Sequence, residues 1–255
     1  MSRKEKLALI AVVVYMAIMM SGMYVMHHVK GLTYGKPEMM TVLVYFQIAA
    51  TISALVFYML FFRGQAFRKP RMNLFLVEFF VAAIVLVVLQ ITLGKYGDAD
   101  MSLIWTIVGT TIMVGIGEEM IFRGILMGAV REKRGAYVAV LWSAGVFGFL
   151  HSTNILGGQA VGPTLAQVLS AGLSGVLYAW VVIKVRNVIP TMVYHAVWDM
   201  FILLGLVVTV SQAEIVLQFQ SLFEIVASVV ILVMIIRHLR SGRRDEDDEL
   251  PAAAT

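Results

Sequence analysis

Apolar residues run along this chain in long uninterrupted blocks, with polar residues gathered between the blocks rather than alternating within them. Eight blocks are long enough to cross about 30 Å of hydrocarbon as helices. They cover residues 7–26, 39–62, 73–93, 103–131, 136–152, 163–183, 188–210 and 213–236. No water reaches the bilayer core, so backbone N–H and C=O groups must bond within their own segment, and such blocks predict helices. The first block runs about 20 residues without a small-residue cleavage site, and so reads as a spanning helix rather than a removable signal.

The short segments between the blocks carry an asymmetric charge. With both termini cytoplasmic, inside segments hold Arg3, Lys4 and Lys6, then Arg63, Arg68, Lys69 and Arg71, then Arg131, Lys133 and Arg134, then Lys184 and Arg186, then Arg237, Arg240, Arg243 and Arg244. Outside segments hold only Lys30, Lys36 and Lys95, and Arg123 falls within a block. Such a bias is the positive-inside pattern, and it would blur if one helix were missed or invented. The expected architecture is an all-α integral membrane protein of about eight transmembrane helices with both termini cytoplasmic. It forms a single transmembrane domain over residues 1–236 and a disordered, charged cytoplasmic tail over 237–255. From Arg243 the tail turns acidic, Asp245 to Glu249, and is too polar to bury a core.

Composition narrows the function classes. Of the 255 residues 60% are hydrophobic and 14% charged, which excludes a soluble α/β enzyme. The chain has no cysteine, so neither disulfides nor thiolate chemistry is available. Its net charge of +4 comes from topology clusters rather than a basic groove, so nucleic acid is not an expected partner. Membrane lipids are, in the plasma membrane if the source is bacterial.

Several charges break the apolar pattern. The fourth block contains Glu118, Glu119 and Arg123 within six residues. Each would cost roughly 2.5 to 3.5 kcal/mol at a lipid-exposed helix centre, so they must face protein or a wet cavity. Glu119 and Arg123 are four apart and suit an ion pair on one face, while Glu118 lies about 100° around the helix. The fifth block ends Phe147-Gly148-Phe149-Leu150-His151, and the seventh carries His195 and Asp199 on one face. At about 1.5 Å per residue, Glu118, His151, His195 and Asp199 lie roughly 20, 22, 12 and 18 Å from the cytoplasmic ends of their helices. Groups from three separate helices can therefore meet in one layer. The plain alternative is polar glue between helices, with Glu119 and Arg123 paired and both histidines bonded to backbone carbonyls. Glu78 reads as interfacial or paired, His27, His28 and His238 as interfacial or solvated, and Gly124 with Gly128 as close helix packing.

Glu118-Glu119-x-x-x-Arg123, Phe147-x-x-x-His151 and His195-x-x-x-Asp199, in that order on separate membrane helices, resemble the CAAX prenyl endopeptidase and bacteriocin-processing (CPBP, Abi) family of intramembrane proteases. The resemblance covers roughly residues 100 to 205, the expected catalytic core. It implies that Glu118 and His151 activate a water against a peptide carbonyl, that Glu119 and Arg123 hold the site in register, and that His195 and the residue four later stabilise the oxyanion. Here that last residue is Asp199 where eukaryotic members usually have asparagine. An ionised aspartate cannot donate to an oxyanion, so Asp199 must be protonated, orient His195, or bind a metal. Glu118, His151, His195 and Asp199 would make an acceptable zinc set, although no two-histidine turn of the usual zinc proteases is present. A metal-independent, glutamate-based site without a cofactor is the favoured expectation.

The function this implies is hydrolysis of a peptide bond in a membrane-associated substrate, a hydrophobic or lipidated peptide or protein, prenylated or bacteriocin-like. A non-catalytic protein for bacteriocin self-immunity or scaffolding is the alternative. A proton- or ion-coupled transporter ranks last, since neither paired half-helices nor symmetric repeats are visible.

Overall fold

The computed structural model describes residues 1–64, 66–211 and 213–241. Helix α1 spans Arg3–Tyr24, opened by a capping box between Ser2 and Glu5, and runs on through a π turn, Val25–Val29. Helix α2 is Met40–Phe61, and α3 is Leu74–Leu93, capped by the Asn73 side chain on the Leu76 amide. Helix α4, Met101–Glu119, starts at an Asp100 cap and continues without a break through a π stretch, Met120–Met127, into α5, Gly128–Arg134. Helix α6, Ala136–Leu150, passes into a 3-10 turn, His151–Gly157. Then come α7, Val161–Val185, α8, Ile189–Leu204, with Pro190 in its first turn, and α9, Ala213–Ser241.

Among the described residues seven continuous helices are long and apolar enough to cross a membrane, and α8 is a shorter apolar one. The chain is a multi-pass integral membrane protein. The expected seventh span, 188–210, is corrected at its end. The helix stops at Leu204, and Thr209–Val210 (β2) pairs antiparallel with Gly94–Lys95 (β1). After Gly205 the backbone closes in tight turns, Val207 and Val208 both bonding back to Leu204. The β-branched run that follows is suited to an extended backbone, a preference that apolarity alone cannot reveal. The tail expected from Arg237 begins as the last turns of α9, and residues 242–255 lie outside the described residues.

Loop contacts sort the helix ends onto two faces. Arg134 pairs with Glu5 at 2.6 Å and Lys4 with Glu132 at 2.6 Å, joining the start of α1 to the end of α5. Arg71 and Ala66 bond to Val185 and Val188, and the ring of His238 meets Tyr137 edge-on. On the opposite face Tyr34 bonds to Gly157, and β1 meets β2. The basic loops therefore share one face, together with both ends of the described chain.

Small residues let the central helices close on one another. A Cβ added at Gly115 of α4 would lie 2.5 Å from the Met192 carbonyl and 2.8 Å from Ala196 on α8. One added at Gly148 of α6 would lie 2.6 Å from the Val168 carbonyl on α7. Gly124 meets Ala66 only at ordinary contact distance, and Gly109 faces open space. Gly115→Leu should therefore lower thermal stability in detergent by about 1–3 kcal/mol or more through overpacking. Gly109→Leu, on the same helix, should leave the melting midpoint unchanged.

Candidate active site

The groups that lipid would reject are gathered where α4, α6, α7 and α8 meet. Arg123 is fully buried and donates to Glu119 Oε1 at 2.9 Å. Its Nη2 reaches toward the Gly175 carbonyl of α7 at 3.4 Å. The guanidinium lies over the Phe147 ring, 4.2 Å from its centroid, with Tyr178 at 5.4 Å. The π stretch carrying Arg123 is held to α6 by the Ser143 hydroxyl, which donates to the Phe122 carbonyl at 3.1 Å. Such π segments inside α-helices recur at functional sites.

Glu119 also meets α8, with His195 Nδ1 3.1 Å from the same Oε1. A carboxylate already paired with a guanidinium can only accept, so Nδ1 carries the hydrogen and donates it. That fixes the His195 ring and turns Nε2 toward Glu118 and Asp199. Nε2 lies 3.9 Å from Glu118 Oε2 and 3.6 Å from Asp199 Oδ2, too long for direct bonds and suited to a bridging group. Glu118 is buried, and its Oε2 has no hydrogen-bond partner among the described residues.

His151 sits where α6 passes into its 3-10 turn. Its Nδ1 is 3.1 Å from the Phe147 carbonyl, which can only accept, so the hydrogen is on Nδ1 and Nε2 keeps its lone pair. Both histidine rings pack edge-on to Phe147, at 5.3 and 5.7 Å between centroids. Glu118, His151, His195 and Asp199 line one cavity of about 410 Å³, while Glu119 and Arg123 stand behind its wall. All six residues singled out in the sequence are thus in this region, four on the cavity and two supporting it. Among the described residues no group of three or more His, Asp or Glu side chains is arranged to hold a metal ion.

Several polar residues on the cavity were missed in the sequence, Gln47, Asn154, Gln167 and Glu224 among them. Glu224 of α9 is buried, its two oxygens accepting from the Tyr194 hydroxyl at 2.6 Å and the Ser174 hydroxyl at 2.7 Å. It ties α9 to the residue preceding His195. Its signal was a carboxylate well inside a block whose other charge, Glu214, stands at its very start. Gln220 extends this network from the Tyr194 hydroxyl to Glu78, 3.4 Å away, so Glu78 is paired rather than loose. Asn154 and Gln167, also on the cavity, bond at 2.9 Å, and neutral amides carry no charge to mark them.

Residues 100–201 match the family model described as Rce1-like: Type II CAAX prenyl endopeptidase Rce1-like. No curated protein and no solved structure gives a significant match to the chain.

Removing one member of the buried ion pair should strand the other charge, at about 3–5 kcal/mol. Glu119→Leu and Arg123→Met should each lower the melting midpoint in detergent sharply. The double variant should recover part of the loss, a coupling read directly from the four midpoints.

Proposed function

We propose, on the premise that residues 100–201 are an Rce1-like CAAX protease domain, that this chain is an intramembrane endopeptidase in which Glu118 activates water against a peptide carbonyl. The observation that carries the reading is the unpartnered Glu118 carboxylate oxygen on a cavity shared with His151, His195 and Asp199, among helices that span a membrane. The substrate class that fits is a membrane-associated peptide or protein, lipidated or simply hydrophobic, since the cavity joins a titratable floor to apolar walls such as Met19, Leu43 and Ile202.

The hydrogen bonds support the following course of reaction. Glu118 accepts a proton from water as the oxygen attacks, and the lone pair of His151 Nε2 helps orient or deprotonate that water. The carbonyl oxygen becomes an oxyanion within reach of His195, whose Nε2 donates to it when protonated, a contribution commonly worth about 2.7–4 kcal/mol per donor. Asp199 balances the imidazolium and orients it, a role open to an aspartate that cannot itself donate when ionised. Glu118 then hands its proton to the departing amine as the C–N bond breaks. Glu119 and Arg123 do not touch substrate. They fix the His195 ring through Nδ1 and hold α4 in register.

The basic face is the cytoplasmic one in this reading, because short lysine- and arginine-rich loops stay on that side. The chain lacks native cysteine, so single-cysteine variants report sidedness cleanly. In sealed inverted vesicles exposing the cytoplasmic side, cysteines at Lys69 and Lys133 should react with an impermeant maleimide. Those at Lys36 and Lys95 should react only after permeabilisation. The reverse pattern would overturn the orientation.

In detergent, the parent chain should cleave a quenched farnesylated peptide ending in a CAAX sequence, or a quenched unprenylated apolar peptide. Glu118→Ala and His151→Ala should each abolish that cleavage with an unchanged melting midpoint, and a chelator should leave the parental rate within about twofold. Cleavage that persists in both folded variants would end the peptidase reading. Inactivation by the chelator, reversed by zinc, would replace the glutamate-based mechanism with a metal-assisted one.

A further inference from the structure

The direction of His195 Nε2 decides whether an oxyanion finds its donor, and rotation of α8 about its own axis is the motion that would turn it away. The Nδ1 contact to Glu119 Oε1 at 3.1 Å restrains that rotation from α4. The residue before His195 is held from another element. Tyr194 is fully buried, and its hydroxyl donates to Glu224 Oε1 of α9 at 2.6 Å. Consecutive helical residues point about 100° apart, so the two carboxylates grip α8 in different directions.

The remaining partners fix the sense of that hydrogen bond. Gln220 Nε2 can only donate, and it reaches the Tyr194 oxygen at 2.5 Å and Glu78 Oε1 at 3.4 Å. The phenol proton is therefore left for Glu224. The Ser174 hydroxyl of α7 donates to Glu224 Oε2 at 2.7 Å, so one oxygen of the carboxylate is engaged by α7 and the other by α8. Helix α9 packs chiefly on α7, and Glu224 with Gln220 carries it across to α8. The Tyr194 ring lies against Phe79 at 4.4 Å and edge-on to Tyr178 at 5.7 Å, contacts that set its plane but place no bond on its oxygen. The Tyr178 ring in turn stands 5.6 Å from that of His195, so a shift of Tyr194 reaches the imidazole by contact as well as through the backbone.

We propose that Glu224 is a positioning residue for the reaction: through Tyr194 it fixes the rotation of α8 and so aims His195 Nε2 into the cavity. The inference rests on the peptidase reading and adds to it a residue from outside the matched stretch 100–201. What the role needs is an acceptor at that point rather than a negative charge. A neutral amide at 224 can serve, since its oxygen accepts from Tyr194 and its NH2 donates to the Ser174 oxygen.

The test compares Tyr194→Phe, Glu224→Met, their double variant, Glu224→Gln and Glu118→Ala with the parent on the two quenched peptides, at a temperature where each is folded in detergent. Tyr194→Phe and Glu224→Met should each lower kcat roughly tenfold to hundredfold, the scale set by misplacing a catalytic group, with KM within about twofold. The double variant should be no slower than the slower single one, because both remove the same bond. Glu224→Gln keeps the acceptor and should hold kcat within about threefold of the parent. A role in packing alone would lower the melting midpoint and leave the kcat of folded protein unchanged. Should Glu224→Met fail to fold, Ser174→Ala takes its place, alone and in the double variant. It removes the second donor on the same carboxylate and should lower kcat severalfold at constant KM.

Parental kcat in the folded single variants beside an inactive Glu118→Ala, losses that multiply in the double variant, or a Glu224→Gln as slow as Glu224→Met would each overturn the role of Glu224 alone. A parent that cleaves neither peptide, or a Glu118→Ala variant that still cleaves, would overturn the peptidase reading and the role of Glu224 with it.

Discussion

Ionised groups inside a bilayer survive only when protein supplies what water would have supplied, and in this chain a single carboxylate oxygen does most of that work. Glu119 Oε1 accepts from Arg123 at 2.9 Å and from His195 at 3.1 Å, so one atom joins the π stretch after α4 to α8. Arg123 in turn lies against the rings of Phe147 of α6 and Tyr178 of α7. Four helices are thereby referred to one buried point. A displacement of any of them would leave a charge facing hydrocarbon or an aromatic face without its cation. That constraint does not depend on catalysis, but it holds the His195 ring in one orientation.

Rigid charge placement is only possible because the helices come close enough. Gly115 brings α4 against the backbone of α8, and Gly148 brings α6 against α7. Lipid tails offer no hydrophobic drive for helix association, so backbone proximity and polar contacts must provide it. The same short approaches leave one cavity of about 410 Å³ beside the buried ion pair. Glu118, His151, His195 and Asp199 line it together with neutral polar side chains such as Asn154 and Gln167.

Some of this could be read from the residues in order. Long apolar blocks announced the spans, because lipid leaves a backbone few other options, and Glu118, Glu119 and Arg123 stood out because charge in such a block has a cost. Helical spacing then paired Glu119 with Arg123. The end of α8 was not legible: Leu206 to Val210 is as apolar as a helix, and only pairing with the distant Gly94–Lys95 draws it into a turn and strand. His151 was legible as the end of the fifth block, but the 3-10 turn that it opens was not. Gln47 and Glu224 show two kinds of blindness. Glutamine carries no charge and can bond across helices as plain glue, so only its partners set it apart. Glu224 was one charge in a long span, with no neighbour in sequence to mark the face on which Tyr194 and Ser174 meet it.

The cavity wall also bears on what can be separated from what. Met19 and Met23 come from α1, Leu43 and Gln47 from α2, and Glu224 and Ile225 from α9, all outside the stretch that matches the protease family. A fragment trimmed to the matched residues would keep every acid and imidazole of the motifs yet lose the walls that α1, α2 and α9 supply. The flanking helices thus supply part of the cavity wall, although no residue of the three motifs lies on them.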